Sequence, residues 1–257
     1  MTYAENLPYL LKELKLPASK EHWKEVAKTA LKEKLSYGDF LAKLLDLDLT
    51  LKEQNRQQRA YKQSKLPPAK TLSTFDFVGS PSINRNEMEQ LAADSQWVKN
   101  NENLILLGAS GAGKTHLACA IAYSLLQKGT KVLFTKTTLL VQSLQQAKAD
   151  LKLNKELNRL ARFDLLILDD IGYVRKSEQE TSVLFELIEN RYETGSLLIT
   201  ANQPFSKWNE LFPDPIMATA AVDRLIHHAN IIHIKEPSFR EKQAKLRSGI
   251  IEKIIES

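Results

Sequence analysis

The stretch Gly108-Ala109-Ser110-Gly111-Ala112-Gly113-Lys114-Thr115 constrains this chain more than any other part of it. It fits the pattern G-x-x-x-x-G-K-[ST], in which glycines permit a tight turn and backbone N–H groups surround anionic oxygens. The apolar run 103–107 before it predicts a buried strand, and residues 115–122 after it predict a helix. A glycine-rich turn that fits the pattern by chance would lack this context. The stretch therefore predicts a phosphate-binding loop.

Two acidic residues complete the predicted site. In a loop of this kind, Lys114 reaches the β- and γ-phosphates of ATP, and the Thr115 hydroxyl ligates Mg²⁺. The apolar run 163–168, about 50 residues further on, leads into Asp169 and Asp170. Ligands bind beyond the carboxyl ends of parallel strands, so Asp169 is predicted to hold Mg²⁺ through water. Asp170 is predicted to orient or deprotonate the attacking water; otherwise it is a helix cap or a surface acid.

Other side chains have two interpretations each. Asn202 follows the predicted strand 196–201 and either hydrogen-bonds the γ-phosphate or the water, or only forms the turn before Pro204. Phe75 and Phe77 either border the adenine or only anchor the linker to the core. His116, directly after the loop, is counted among the nucleotide-binding residues.

Cysteine content, the N-terminal sequence, apolar runs and histidine spacing each make a class of protein or site unexpected. The single cysteine, Cys119, excludes an internal disulfide, so a reducing, cytoplasmic compartment is the expectation, and Cys119 is predicted to be buried. The N-terminus lacks a signal pattern, and no run approaches the ~20 apolar residues of a membrane span, so no membrane partner is expected. His227, His228 and His233 lack the spacing of a ligand set, so no histidine metal site is expected.

The positive charge of the chain is concentrated near the N-terminus. Residues 1–75 contain 14 Lys and Arg against 9 Asp and Glu, although the net charge of the whole chain is only +5. Residues 6–63 predict helices, the second of them capped by Ser19. Basic residues recur there at helical spacing and form what we call the basic stripe: Lys52, Arg56, Arg59, Lys62 and Lys65. A solvated helix face is the ordinary interpretation, but the charge asymmetry favours contact with the phosphates of double-stranded DNA.

Taken together, these patterns resemble the IstB-like ATPases, which help bacterial insertion sequences transpose and are AAA+ proteins close to the DnaC-like helicase loaders. The resemblance covers nearly the whole chain. The segments that carry it are 35–41, 75–77, 108–118, 165–173, 191–193, 200–202, 223–229 and 238–240. It implies an α/β fold of the AAA+ P-loop type, with a parallel sheet flanked by helices, at residues 67–257. An N-terminal α-helical domain would occupy residues 1–66.

The resemblance also implies roles for single residues. Asn202 falls at the sensor 1 position, and Arg240 falls near the sensor 2 arginine on a C-terminal lid helix. Arg224 falls near the arginine that such proteins insert into a neighbouring subunit's ATP site, a task for which Arg191 is an alternative. Arg224 and Arg240 are otherwise salt-bridged surface residues. Asp170 replaces the usual glutamate, which implies slow hydrolysis.

The function implied is an ATP-dependent regulator of transposition. Such a protein forms an ATP-dependent homo-oligomer on DNA and acts on a cognate transposase. A helicase-loading ATPase is the alternative, because it shares the ATPase core. A small-molecule kinase lacks support, since it would require a substrate pocket and lid arginines and would not predict Arg224 at a subunit interface.

Overall fold

The N-terminal unit of the chain is helical. The computed structural model describes residues 3–172, 178–204, 207–208 and 214–239, and the chain divides into two units, Met1–Ala60 and Tyr61–Ser257. The first unit contains α1 (Tyr3–Glu13), α2 (Pro17–Glu33) and most of α3 (Tyr37–Ser64). The predicted domain boundary after residue 66 stays a prediction, and the two units divide earlier, within α3.

A carboxylate from α3 caps the start of α2. Asp48 is buried and accepts hydrogen bonds from the backbone N–H groups of Ala18 (3.0 Å) and Ser19 (2.8 Å). The prediction that Ser19 caps α2 is wrong, because α2 begins at Pro17 and the Ser19 hydroxyl is itself bound to Asp48. Burial raises the pKa of Asp48, but these hydrogen bonds outweigh it and hold that pKa below its ordinary value of 3.8.

We expect Asp48→Ala to loosen α2. Loss of a cap costs about 1–2 kcal/mol, so hydrogen exchange of the α2 amides should accelerate about tenfold. Asp46→Ala, an exposed acid on the same helix, is the control and should leave exchange unchanged. Because the pKa of Asp48 is lowered by folding, its contribution is complete above its ordinary pKa and is lost as the pH falls through the lowered value. Equal exchange in both variants would contradict this assignment.

The second unit is built on a five-stranded parallel sheet. Its strands are β1 (Asn103–Gly108), β2 (Val132–Lys136), β3 (Leu165–Asp169), β4 (Ser196–Ala201) and β5 (Ala229–Ile234), in the order β2-β3-β4-β1-β5. The register pairs Leu104 with Leu198 and with Asn230. All carboxyl ends therefore lie at one edge of the sheet, which is where the phosphate-binding loop follows β1.

Helices cover both faces of this sheet. They are α4 (Arg85–Ala93), α5 (Gln96–Lys99), α6 (Lys114–Gln127), α7 (Thr137–Ala149), α8 (Leu153–Leu160), α9 (Glu178–Arg191) and α10 (Pro215–Ile226). On one face, Ile105, Leu166 and Leu197 pack in a single core with α7, α8, α9 and α10, while α6 packs on the other. β1, β3 and β4 are buried almost throughout, as expected of central strands covered on both sides. The predicted α/β fold is confirmed.

Residues 84–99, before β1, form two helices rather than one. The backbone is extended at Asp94, whose carboxylate accepts from the Gln96 N–H at 2.8 Å beside the start of α5. The expected lid helix lies largely outside the described residues. Among the described residues, no helix combines the length and apolarity needed to cross a membrane.

Candidate nucleotide site

The phosphate-binding loop contains two glycines that no other residue could replace without strain. Gly111 and Gly113 have φ angles of 78° and 96°, in the left-handed region that favours glycine. A Cβ at Gly113 would lie 2.8 Å from Cε2 of Phe75, and a Cβ at Gly111 would meet the side chain of Ser238. The close approach of the loop to its neighbours therefore depends on both glycines.

Lys114 is held inside the loop. Its side chain is buried, and Nζ donates to the carbonyl oxygens of Gly108 and Ala109, both at 2.8 Å. Ala109 and Ser110 are exposed at the tip of the loop, whereas Ala112 is buried beneath it. The cation is thus fixed beside the backbone groups that would bind phosphate oxygens.

Asp169 connects the loop to the sheet. One carboxylate oxygen, Oδ1, accepts hydrogen bonds from the hydroxyls of Thr115 (2.8 Å) and Thr200 (2.7 Å). The backbone carbonyl of Asp169 accepts from the Thr137 hydroxyl at 3.0 Å. Carboxylate and hydroxyl oxygens are hard ligands of the kind Mg²⁺ prefers, so Thr115 and Asp169 fit the ion predicted there.

Asp170 and Asn202 lie at the same edge of the sheet. Asp170 has a φ of 65°, a conformation that is unfavourable for a non-glycine residue, and its N–H donates to the Thr200 hydroxyl at 2.8 Å. Asn202 directly follows β4, and its Oδ1 lies beside Gly172, buried and with no hydrogen-bond partner among the described residues. Buried amide oxygens in proteins are normally hydrogen-bonded.

Thr200 is a site residue that sequence reasoning did not assign. It is buried near the carboxyl end of β4, where its hydroxyl bridges Asp169 and Asp170. A polar residue within the apolar run 197–201, close to the strand's carboxyl end, is the signal that could have found it.

A cavity of about 240 Å³ adjoins the loop. Phe75, Thr74 and His116 line it together with loop residues 111–115. The Phe75 ring meets His116 edge-on at a centroid distance of 5.3 Å, and His116 Nε2 lies 3.0 Å from the Thr71 carbonyl oxygen. Phe77 packs on Phe75 and lies under the Arg85 guanidinium, outside the described lining of the cavity.

The segment after β5 is attached to this region. The N–H of Phe239 donates to the Gly111 carbonyl at 3.0 Å, and Phe239 also lines the cavity. Glu236 accepts from the N–H (2.6 Å) and hydroxyl (2.5 Å) of Ser82, in the linker before α4. Arg240 lies outside the described residues.

Arg224 lies far from the loop. Arg224 is near the end of α10, before β5, at the amino edge of the sheet. It donates to the Ala220 carbonyl at 3.0 Å and stacks over Phe185. Across the six residues of β1, this edge is about 17 Å from the phosphate-binding loop.

Arg191 supports the fold from inside it. It is buried and donates to the carbonyl oxygens of Phe163 (2.7 Å), Asp164 (3.0 Å) and Ser196 (2.8 Å). Burial lowers its pKa to about 10. Arg191 is therefore engaged within its own chain, and which arginine acts on a neighbouring subunit stays a prediction.

Comparison with known proteins supplies the family. Residues 9–247 match the family of IstB-like ATP binding proteins. This chain belongs to that family. The resemblance inferred from the sequence is thereby confirmed, and ATP binding is a property of the family.

Relatives and solved structures agree with this assignment. The chain is 44% identical over 238 residues to the putative insertion sequence ATP-binding protein y4iQ/y4nD/y4sD of Sinorhizobium fredii, covering 93% of this chain and 80% of that one. It is 38% identical over 247 residues to the IS21 putative ATP-binding protein of Pseudomonas aeruginosa, covering 96% and 92%. The structure of the DnaC helicase loader is similar, with a TM-score of 0.52 at 21% identity over 69% of this chain and 99% of that one. This last likeness shows the AAA+ fold.

The basic stripe is exposed in this IstB-like protein. Lys52, Arg56 and Arg59 are exposed on α3 within the first unit, and Lys62 and Lys65 are exposed in the second. Arg56 pairs with Glu53 at 2.9 Å. Exposure permits contact with DNA, which stays a prediction at this point.

We expect Gly113→Ala to lower the affinity for a fluorescent ATP analogue at least about tenfold, because the new Cβ meets Phe75 and strains the loop. Gly129→Ala is a matched control, since Gly129 has a similar φ of 95° but no atom within 4 Å of an added Cβ. The control should lose about 1–2 kcal/mol of stability, because alanine is unfavourable in the left-handed region, and should keep its affinity. Equal affinities in the two variants would show that the approach of Phe75 to the loop is unimportant for binding.

Proposed function

We propose that this protein is an ATPase that regulates transposition. It binds ATP and Mg²⁺, assembles with further copies of itself on double-stranded DNA, and recruits or activates a cognate transposase. The observation that most supports self-assembly is the distance between the two halves of the catalytic machinery. Arg224 lies at the amino edge of the sheet, whereas the phosphate-binding loop lies at the carboxyl edge.

Each group of residues in the nucleotide site has its own chemical task. The loop amides and Lys114 bind the phosphates, and Thr115 and Asp169 hold Mg²⁺, which neutralises phosphate charge when bound. Asp170 orients the attacking water and accepts its proton, while the Asn202 amide positions that water or the γ-phosphate. Asp170 is one methylene shorter than the glutamate usual at this position, which supports slow hydrolysis.

The arginine arrangement couples ATP turnover to assembly. An arginine from a second copy would stabilise the charge that develops on the transferred phosphoryl group, a contribution of about 10³–10⁵ in rate where such arginines operate. Because the γ-phosphate and this arginine belong to different copies, nucleotide binding and self-association stabilise each other. Arg240, near the sensor 2 position, is proposed to contact the same nucleotide from its own chain.

DNA contact is proposed for the basic stripe. Exposed lysine and arginine side chains bind phosphates without reading sequence, and such binding weakens steeply with salt. The relatives named for insertion sequences support transposition as the process. The fold likeness to a helicase loader keeps helicase loading as the alternative. Capture of a transposase rather than a replicative helicase from a defined mixture distinguishes the two.

We expect Arg224→Ala to abolish assembly-stimulated ATP hydrolysis while ATP binding by the unassembled protein stays unchanged, because the arginine acts on another copy's nucleotide. Arg162→Ala, an exposed arginine elsewhere, is the control and should retain turnover. Mixing Arg224→Ala with Lys114→Ala should restore activity. The Arg224→Ala copy still binds ATP, and the Lys114→Ala copy still supplies an arginine to that site. Full turnover by Arg224→Ala alone would refute the role in trans.

We expect the triple change Lys52→Gln, Arg59→Gln and Lys62→Gln to weaken ATP-dependent duplex binding at least about tenfold. The affinity should also become less dependent on salt. The steepness with which log affinity falls against log salt should decrease by about 1 for each DNA phosphate that is no longer neutralised. The matched control neutralises three exposed lysines of α2, with Lys20→Gln, Lys24→Gln and Lys28→Gln. A fluorescence anisotropy titration over a salt series measures both quantities. Equal effects of the two triples would remove the basic stripe as a specific DNA contact.

A further inference from the structure

Three side chains of types that can ligate metal ions lie close together at the amino edge of the sheet, outside the nucleotide site. Glu193, His227 and His228 each place one ligand atom within 4.8 Å of the other two. All three side chains are exposed, so an ion from solvent can reach them. Two imidazoles and one carboxylate form a donor set that also occurs in zinc sites.

The sheet creates this cluster from distant parts of the sequence. Glu193 lies between α9 and β4, and the histidines lie between α10 and β5. β4 and β5 both pair with β1 in parallel, so the turns before them lie at the same edge. The histidine spacing alone gave no reason to expect a metal site, because the carboxylate comes from a separate segment.

The short segment before β1 fixes both ligand-bearing turns. The Asn101 side-chain amide donates to the Glu193 carbonyl at 2.8 Å, and the Asn103 N–H donates to the His228 carbonyl at 2.7 Å. Glu193 has a φ of 57°, an unfavourable backbone conformation that this hydrogen bond helps to hold. The ligand positions are therefore set by the backbone, and only side-chain rotations remain free.

Tyr192 supplies the outer contact that metal-binding histidines usually have. Its hydroxyl lies 3.0 Å from His227 Nδ1. A hydrogen bond at one ring nitrogen orients an imidazole and leaves the other nitrogen for a metal. Arg224, the neighbouring cation, donates to the Ala220 carbonyl and pairs with Glu189.

We propose that Glu193, His227 and His228 bind a divalent transition-metal ion of the zinc class. Zinc bonds of about 2.0–2.2 Å in tetrahedral geometry place ligand atoms about 3.4 Å apart, which small rotations of exposed side chains reach from 4.8 Å. Imidazole ligands select Zn²⁺, Ni²⁺ or Co²⁺ over Mg²⁺. The fourth coordination position is open to water or to a group from another molecule.

The test is zinc binding by the full-length protein prepared without a polyhistidine tag. A fluorescent chelator competition in excess Mg²⁺, which occupies the carboxylate at the loop, measures the affinity. We expect one Zn²⁺ per chain with a dissociation constant on the order of 10 μM or tighter. Cys119 does not compete, because it is buried and burial raises its thiol pKa to about 12.

Variants decide where the ion binds. His228→Ala and Glu193→Gln should each weaken binding at least about tenfold. His233→Ala, which removes an exposed histidine of β5, should bind as the unchanged protein does. Co²⁺ added in place of zinc should give the intense visible absorption of a tetrahedral site in the unchanged protein and in His233→Ala only.

Two results would overturn the proposal. One is zinc uptake by the unchanged protein that is no greater than uptake by a His227→Ala, His228→Ala double variant. The other is an equal loss of affinity in His233→Ala. Circular dichroism confirms that each variant is folded, and because Glu193 is exposed, Glu193→Gln provides a ligand deletion that leaves the core intact.

Discussion

A single carboxylate oxygen holds the nucleotide site together. Asp169, the last residue of β3, accepts two hydrogen bonds at Oδ1. One comes from the Thr115 hydroxyl at the start of α6 and the other from the Thr200 hydroxyl in β4. Hydrogen bonds to an ionised acceptor are among the stronger ones in proteins, particularly where solvent is excluded. The loop, the acidic strand end and the neighbouring strand are thus fixed relative to one another. This contact adds to the pairing of β1, β4 and β3 in placing the phosphate-binding loop beside the acid.

The two edges of the sheet also carry different sets of candidate functional residues. Its carboxyl edge bears the loop, Asp169, Asp170 and Asn202, whereas its amino edge bears Arg224 and the cluster of Glu193 with two histidines. The same parallel pairing that gathers acids at one edge gathers turns at the other. An arginine placed at the amino edge serves another molecule more readily than its own nucleotide. This placement is the basis of the proposal that Arg224 acts on the nucleotide of another copy.

Sequence reasoning succeeded where the signal was continuous along the chain. The loop and the run ending in Asp169 each combine an apolar strand with functional residues directly beside it, so local pattern and site coincide. It failed where a partner came from elsewhere. Ser19 was expected to cap α2, but the carboxylate of Asp48 caps it from α3. No local sequence pattern indicates a cap that another helix supplies.

The sequence by itself determined the α/β class, the phosphate-binding loop, the position of the acidic strand end and the exposure of the basic stripe. Those features follow from spacing and polarity within short segments. Only the tertiary structure decided that Thr200 bridges Asp169 and Asp170, that Arg191 is buried among carbonyl oxygens, and that Glu193 meets His227 and His228. Each of these depends on which strands lie side by side, and strand order is set by packing over the whole sheet rather than by any local run of residues.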